Sequence, residues 1–205
     1  MYKRFIKRFL DIVFSLVGII LLFVPMLIIV LLIKLDDKGP AIFVQKRFGK
    51  DKKFFSFYKF RSMKTNAPDV PTYLFKNPEQ YLTRLGRILR KTSLDELPQL
   101  INILKGDMSI IGPRPALWNQ DDLIEERDKF GANSLRPGLT GLAQISGRDE
   151  LSIEEKAFLD GEYTKNLSFL MDFKCFCGTI GAVITAKGFS DTANNKNENT
   201  ETVKK

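Results

Sequence analysis

The amino-acid sequence predicts a helix-rich α/β protein with one domain, attached to a membrane by the N-terminal segment of the chain. The length of 205 residues is enough for one domain with a sizeable core. Residues 12–33 carry no charge, and a helix of these twenty-two residues is long enough to enter or cross a bilayer. Alternating strand patterns and helical stripes follow it. We therefore expect a membrane segment at 1–35, a globular domain at 36–188 and a disordered, Asn-, Thr-, Glu- and Lys-rich tail at 189–205.

The composition narrows the chemistry that this domain can perform. Lysine and arginine outnumber aspartate and glutamate by 32 to 24. The net charge of +8 points to an anionic partner, which is a phosphorylated substrate, an acidic lipid or a nucleic acid. The chain has no histidine, which excludes Ser-His-Asp and Cys-His catalysis and histidine-ligated metals. The two cysteines, Cys175 and Cys177, lie in an apolar run, and we expect them to be reduced side chains in a core or an interface.

The N-terminal segment has the features of a membrane anchor. Residues 1–11 alternate basic and apolar side chains as an amphipathic helix at an anionic membrane surface does. Pro25 lies near the middle of the apolar run 12–33, and basic side chains flank the run on both sides. Because basic flanks stay in the cytoplasm, a helix that enters the bilayer, bends at Pro25 and returns to the same face fits this pattern. A single membrane-spanning helix is the alternative that the residues leave open.

Two strands are predicted after the membrane segment. Residues 42–48 and 54–62 alternate as strands do, and residues 49–51 form the turn between them. The alternation places Lys59 and Arg61 on one face of the second strand, where two cations can hold a phosphate group. A solvated basic edge, or a nucleic-acid platform with interleaved aromatic side chains, is equally compatible with this stretch.

The remaining elements are mostly helical. Residues 66–81 contain three prolines and are predicted to form a loop. The next helix is predicted near 82–91 and carries Arg90 close to its end, five residues before Asp95. An acidic and exposed helix is expected at 116–131, and a further helix is expected to begin at a cap formed by Ser152 and Glu155. The apolar run at 175–186 is too short to span a membrane and is expected to be an interfacial or core helix.

The strongest candidate site lies in residues 90–115. Ser93 and Glu96 have the spacing of a capping box, which predicts that Asp95 lies in the first turn of a helix. Negative charge is favoured there, so we expect an ionised Asp95, suited to be a nucleophile or a metal ligand. Pro98 should open or kink that first turn, residues 106–107 should end the helix, and prolines on both sides should hold Arg114 in an extended loop. A capped core helix followed by a turn is the purely structural interpretation.

Together these motifs resemble the bacterial sugar transferases, the small monotopic polyprenol-phosphate phosphoglycosyl transferases. The resemblance extends from residue 1 to about residue 188. It rests on the basic-apolar N-terminal segment and on KFRSM at 59–63, SLDELPQ at 93–99, GDMS at 106–109, GPRP at 112–115 and RPGLTGLAQ at 136–144.

The resemblance implies a reaction and a role for each site residue. Such enzymes move a sugar-1-phosphate from a UDP-sugar to polyprenol phosphate, release UMP and begin the assembly of a membrane-linked glycan. By motif position Asp95 is the nucleophile that forms an aspartyl-phosphosugar intermediate, and Glu96 assists it. Mg²⁺ is the expected cofactor and Asp95 its expected ligand. The residues expected to bind phosphate or nucleotide are Lys59, Arg61, Arg90, Arg114 and Arg136.

The resemblance also favours the re-entrant helix over the single span. It implies a catalytic domain on the cytoplasmic face of the bacterial inner membrane. Relatives often carry serine before the membrane proline, whereas this chain has Val24. The expected partners are the UDP-sugar, polyprenol phosphate and membrane lipids, without nucleic acid, and a homo-oligomer is left open. A non-enzymatic membrane-bound module that binds anionic lipid or nucleic acid, and a hydrolase that uses the same aspartate, are the competing classes.

Overall fold

A computed structural model describes residues 1–68, 78–147 and 150–185 of the chain. They form the predicted helix-rich α/β fold, with the predicted pair of strands and a second small sheet that was not predicted. The helices are α1 (Lys7–Asp36), α2 (Arg84–Lys91), α3 (Gln99–Lys105), α4 (Asp121–Asp128), α5 (Leu142–Ser146), α6 (Ile153–Lys165) and α7 (Phe169–Thr185). The strands are β1 (Ile42–Phe48), β2 (Phe54–Phe60), β3 (Ser109–Ile111) and β4 (Gly138–Thr140). The predicted tail at 189–205, and residues 69–77 of the predicted loop, lie outside the described residues.

Helix α1 contains the apolar run and continues through Pro25 as one element. It is long and apolar enough to cross a membrane. Near its start the carboxylate of Asp11 accepts hydrogen bonds from the Ser109 hydroxyl at 3.0 Å and the Ile110 amide at 2.9 Å. Near its end Ile29 and Ile33 pack in a core cluster with Phe60. Between these contacts α1 exposes large apolar side chains, namely Ile20, Leu21, Phe23, Val24, Leu27 and Ile28. This surface supports membrane attachment, and the re-entrant bend stays a prediction.

Strands β1 and β2 form the antiparallel hairpin that the alternation predicted. Their register runs from Ile42 opposite Phe60 to Phe48 opposite Phe54, so the second strand ends two residues earlier than expected. Phe57 and Phe60 are buried. Alternation along β2 places the Lys59 side chain on the same face of the hairpin as Phe57. Phe43 of β1 is the cross-strand partner of Lys59 and lies on that face as well.

Helix α3 is fixed to the hairpin by Asn102, which is fully buried. Its amide oxygen accepts a hydrogen bond from the Tyr58 backbone at 3.0 Å, and its amide nitrogen donates to the Ser56 carbonyl at 2.7 Å. The helix ends at Gly106, whose φ of 97° is the left-handed conformation that glycine adopts readily. The end of the helix predicted at residues 106–107 is therefore confirmed.

The second sheet consists of β3 and β4, which are parallel. The residues that follow β3 and begin β4 are glycines that approach each other closely. A Cβ atom on Gly112 would lie 2.7 Å from the Arg136 carbonyl oxygen, and one on Gly138 would overlap the Gly112 backbone. The backbones of the GPRP and RPGLTGLAQ motifs can therefore cross only without side chains at these positions.

The C-terminal helices α6 and α7 cover the second sheet. Helix α6 begins with the predicted capping box, in which Ser152 and Glu155 satisfy each other's backbone amides at 3.2 and 2.8 Å. Helix α7 begins at Phe169, earlier than predicted. It buries Cys175 and leaves Cys177 exposed, both as free thiols. The large apolar side chains that α7 exposes are Phe169, Leu170, Phe173, Phe176 and Ile180.

The start of the chain is joined to α7 by a shared carboxylate. Asp172 accepts hydrogen bonds from the Tyr2 hydroxyl at 2.5 Å and the Lys7 ammonium at 2.7 Å through one oxygen. Its other oxygen accepts from the Tyr163 hydroxyl at 2.6 Å. The first turn of the N-terminal segment and the last described helix therefore form one structural unit.

Candidate active site

The Asp-Glu pair lies in a short 3₁₀ turn, Leu94–Glu96, between α2 and α3. The capping box predicted at Ser93 and Glu96 is wrong. Ser93 has a left-handed backbone with φ of 57°, and its side chain makes no capping hydrogen bond. The carboxylate of Glu96 turns to Arg114 instead. The open first turn predicted at Pro98 is confirmed, because α3 begins only at Gln99 and Pro98 is its N-cap residue.

Glu96 forms an ion pair with Arg114, which the loop of residues 113–115 carries to the turn. Burial opposes the ionisation of Glu96, but Arg114, followed by Lys59 and Arg47, holds the pKa of Glu96 below its ordinary value. Glu96 is therefore a carboxylate at neutral pH and fixes the position of Arg114.

Asp95 is 7% exposed and is the less stable anion of the pair. Burial and the neighbouring charge of Glu96 raise the pKa of Asp95 to about 6, although Lys59, Arg90 and Arg114 oppose the shift. At pH 7 Asp95 is still mostly ionised, as expected. Its pKa lies closer to 7 than the pKa expected for an aspartate at the start of a helix. A buried carboxylate that is only weakly solvated and surrounded by cations has the properties of a nucleophile toward an anionic substrate.

Lys59 and Arg90 complete the cationic side of the site. Lys59 projects from β2 and its ammonium lies 5.2 Å from the centre of the Phe43 ring. Burial, together with repulsion by Arg90 and Arg47, lowers the pKa of Lys59 to about 8. Arg90 stands in the last turn of α2 and donates from Nε to the Ser62 hydroxyl at 3.0 Å. Of the predicted phosphate-binding residues, Lys59 therefore lies within the electrostatic reach of both carboxylates and Arg90 within that of Asp95.

Arg47 belongs to this site and was missed by the sequence reasoning. It donates from Nη1 to the Pro115 carbonyl at 2.7 Å and from Nη2 to the Gln45 side chain at 2.9 Å. Its guanidinium lies 4.4 Å from the centre of the Phe57 ring. The signal was available, because alternation on the first strand, read with the register of a hairpin, places Arg47 on the face that carries Lys59.

Two predicted phosphate-binding residues are placed elsewhere. Arg61 is buried, donates to the Asp37 carbonyl and forms an ion pair with the Asp37 carboxylate at 3.5 Å. Arg136 donates from Nε to the Gly106 carbonyl at 2.9 Å, at the end of α3 opposite to the end that follows Asp95. The substrate-binding roles of Arg61 and Arg136 stay predictions.

The candidate site has too few carboxylates to bind a metal ion through protein ligands alone. Among the described residues no cluster of three or more carboxylate, cysteine or histidine side chains is found. Mg²⁺ is commonly held by one or two carboxylates together with substrate phosphates and water. Glu96 forms an ion pair with Arg114, whereas Asp95 is a mostly ionised carboxylate in a setting of positive charge from Lys59, Arg90 and Arg114 that also suits a diphosphate. Asp95 therefore fits the role of a single protein ligand to Mg²⁺ that is shared with a diphosphate.

Comparison with known proteins gives consistent matches over nearly the whole chain. The family profile described as bacterial sugar transferase matches residues 2–186. The chain is 39% identical to the uncharacterised sugar transferase EpsL of Bacillus subtilis (strain 168), over 91% of each chain. It is 38% identical to the exopolysaccharide production protein ExoY of Sinorhizobium fredii, over 89% of this chain and 87% of that protein. It is 37% identical to the undecaprenyl-phosphate galactose phosphotransferase of Salmonella typhimurium, over 91% of this chain and 42% of that protein.

Proposed function

The chain belongs to the bacterial sugar transferase family, and from this premise we propose that it transfers a sugar-1-phosphate from a UDP-sugar to polyprenol phosphate and releases UMP. Membership makes the protein a transferase. The name of the Salmonella relative supports a lipid phosphate as the acceptor and a hexose phosphate as the transferred group. The observation that carries the proposal is Asp95, a buried and mostly ionised carboxylate set among Lys59, Arg90 and Arg114.

In the first step a carboxylate oxygen of Asp95 attacks the phosphorus that bears the sugar. The bond between this phosphorus and the bridging oxygen breaks, and UMP leaves with the electron pair. The product is an aspartyl-phosphosugar. The attacking group is already an anion, so the step needs no general base. A single carboxylate can therefore do this chemistry in a chain without histidine.

In the second step a phosphate oxygen of polyprenol phosphate attacks the same phosphorus. The bond to Asp95 breaks and the free carboxylate is regenerated, while the sugar remains on a lipid-linked diphosphate. Both nucleophiles are anions that approach an anionic centre. The cations around Asp95 are therefore expected to reduce the repulsion between them and to orient the phosphoryl group.

The other site residues have distinct parts in this scheme. Lys59 and Arg90 bind phosphate oxygens, and Arg114 does so from the side of Glu96. Glu96 keeps Arg114 in place. Mg²⁺, held by Asp95, would neutralise the charge of the diphosphate and make UMP a better leaving group.

The lipid acceptor requires that the site lie at a membrane surface. The exposed apolar side chains of α1 and α7 supply a surface of that kind. We infer that α1 enters the bilayer of the bacterial inner membrane, bends at Pro25 and returns, which leaves the catalytic domain on the cytoplasmic face. Both basic flanks of α1 support this orientation.

The test is UMP release by the purified protein with Mg²⁺, polyprenol phosphate and a panel of UDP-sugars. We expect lipid-dependent release with one donor, and its loss in Asp95→Asn. Asp128→Asn is the matched control, because Asp128 is on the surface and pairs with Lys52, and it should keep full activity. One UMP released per enzyme without lipid fits the covalent first step, whereas continued turnover without lipid would indicate a hydrolase. No release with any donor from folded, lipid-bound protein would contradict the proposal and favour a binding module.

A further inference from the structure

The loop of residues 113–115 brings Arg114 to Glu96, but its own shape is not fixed by secondary structure. Two of its three residues are prolines and have no amide hydrogen to donate. Its three carbonyl groups are all engaged. The Pro113 carbonyl accepts from the Gly138 amide at 2.8 Å. The other two accept hydrogen bonds from guanidinium groups that reach the loop from two different parts of the fold.

Arg127 in α4 holds the middle carbonyl of the loop. Its Nη2 donates to the Arg114 carbonyl at 2.9 Å. The same guanidinium is bound to Asp160 of α6, with Nε at 2.8 Å and Nη2 at 2.6 Å from one carboxylate oxygen. Arg127 is 5% exposed and Asp160 is 1% exposed. Asp160 therefore fixes the direction in which Nη2 of Arg127 presents its second hydrogen to the loop.

Arg47 of β1 holds the last carbonyl of the loop. Its Nη1 donates to the Pro115 carbonyl at 2.7 Å, while Gln45 and the Phe57 ring fix the rest of the guanidinium. Arg127 and Arg47 therefore hold consecutive peptide groups, and the Arg114 side chain lies between the first of them and the Pro113 carbonyl that the Gly138 amide holds. A shift of the backbone here would move the Arg114 guanidinium away from Glu96.

We propose that Arg127, oriented by Asp160, and Arg47 are positioning residues that clamp the loop of residues 113–115 and thereby place Arg114 against the catalytic carboxylates. The proposal rests on the proposed function for the role of Arg114. The ion pair between Arg127 and Asp160 does not by itself explain why two charged side chains are buried here. A buried ion pair can often be replaced by apolar side chains of similar volume without loss of stability. The hydrogen bond that Arg127 makes to the loop is what an apolar replacement cannot reproduce.

That difference defines the experiment. The double variant Arg127→Met with Asp160→Leu removes both buried charges together, so no charge is left unpaired. We expect kcat for UMP release to fall about tenfold, the scale of one lost hydrogen bond, with a smaller change in KM for the UDP-sugar because Lys59 and Arg90 are intact. Amide hydrogen exchange across residues 112–118 should become faster. The matched control, Lys52→Met with Asp128→Leu, removes an ion pair of the same helix that does not touch the loop and should change neither quantity.

The outcomes separate the alternatives. If the double variant folds and keeps both kcat and the exchange of residues 112–118 at the wild-type level, the clamp is overturned and the pair is purely structural. If the double variant does not fold, the variant Arg47→Met decides. Exchange of residues 112–118 at the wild-type rate in that variant overturns the proposal, and faster exchange supports it. Wild-type protein that releases no UMP contradicts the proposed function instead, while the exchange measurement still decides whether the clamp exists.

Discussion

At the scale of single residues, the main feature is the unequal environment of the two adjacent carboxylates. Glu96 is stabilised as an anion by Arg114, whereas Asp95 is held in a buried position that opposes its charge. Two neighbouring acids thus have pKa values moved in opposite directions. This division assigns the structural ion pair to Glu96 and leaves Asp95 for chemistry.

The environment of Asp95 predicts a gain in stability when its charge is removed. Because its pKa is about 6 in the folded protein and near 4 when unfolded, the folded state favours the protonated form. The resulting penalty is absent below pH 4, grows between pH 4 and 6, and is complete above pH 6. Asp95→Asn should therefore raise the free energy of unfolding at pH 7 by about 1–3 kcal/mol, measured by thermal unfolding in EDTA. The gain should vanish at pH 4, and a lower Tm at pH 7 would show that the charge of Asp95 is well stabilised.

Residue patterns also show what the sequence could and could not reveal about the site. Asp95, Glu96 and Arg90 are close in the chain, so a turn is enough to bring them to one site, whereas the place of Arg114 at this site was implied by the resemblance to the family. The role of Glu96 was misread because the Ser-x-x-Glu spacing is the same in a capping box and here. Only the left-handed backbone of Ser93 distinguishes the two, and serine carries no local signal for that conformation.

At the scale of elements, the site depends on how closely α2 packs on the end of the hairpin. A Cβ atom at Gly86 would overlap the carbonyl of Ser62, the residue whose hydroxyl holds Arg90. The absence of a side chain at Gly86 therefore sets the distance between Arg90 and the carboxylates. Local helix propensity gives no reason for a glycine in the first turn of α2.

Gly86→Ala should therefore destabilise the fold although alanine is the better helix former. The overlap is with backbone, which cannot rotate away, so we expect a loss of about 2–4 kcal/mol in stability and a drop in activity as Arg90 moves. Gly181→Ala in α7 is the control, because an added methyl group meets no described atom within 4 Å outside the backbone of its own helix, and it should stabilise by up to about 1 kcal/mol. Equal Tm values for Gly86→Ala and wild type would contradict the close packing.

Element prediction succeeded where the signal was local and failed where the contact was distant. Alternation and a turn were enough for the hairpin, and the Ser152 capping box was read correctly. The bonds of Arg47 and Arg127 to the loop of residues 113–115 span 68 and 13 positions of the chain. No periodicity encodes such partners, because they are chosen by tertiary packing.

At the scale of the whole molecule, the N-terminal segment and α7 are held together by Asp172. Lys7 and Asp172 are 13% and 11% exposed, so their ion pair is largely shielded from water. The elements with the most exposed apolar surface are thus fixed to each other on the domain.

Asp172→Asn should weaken this connection. The substitution removes the carboxylate that contacts Lys7 in a poorly solvated position, and removal of one partner of a buried pair typically costs about 3–5 kcal/mol. We expect a lower Tm and faster amide exchange in residues 2–10. Glu162→Gln, which removes a surface pair with Lys165 at 3.5 Å, should have little effect. Unchanged exchange in residues 2–10 would show that Asp172 does not anchor the segment.

The apolar surface on α1 and α7 also determines how the enzyme should meet its acceptor. A protein held on a membrane and a lipid dissolved in that membrane encounter each other in two dimensions. Turnover should then follow the mole fraction of polyprenol phosphate in the micelle or vesicle. Adding empty micelles while the bulk concentrations of enzyme, lipid and UDP-sugar stay constant should slow the reaction, because the lipid is diluted at the surface. The KM for the water-soluble UDP-sugar should not depend on the amount of micelles.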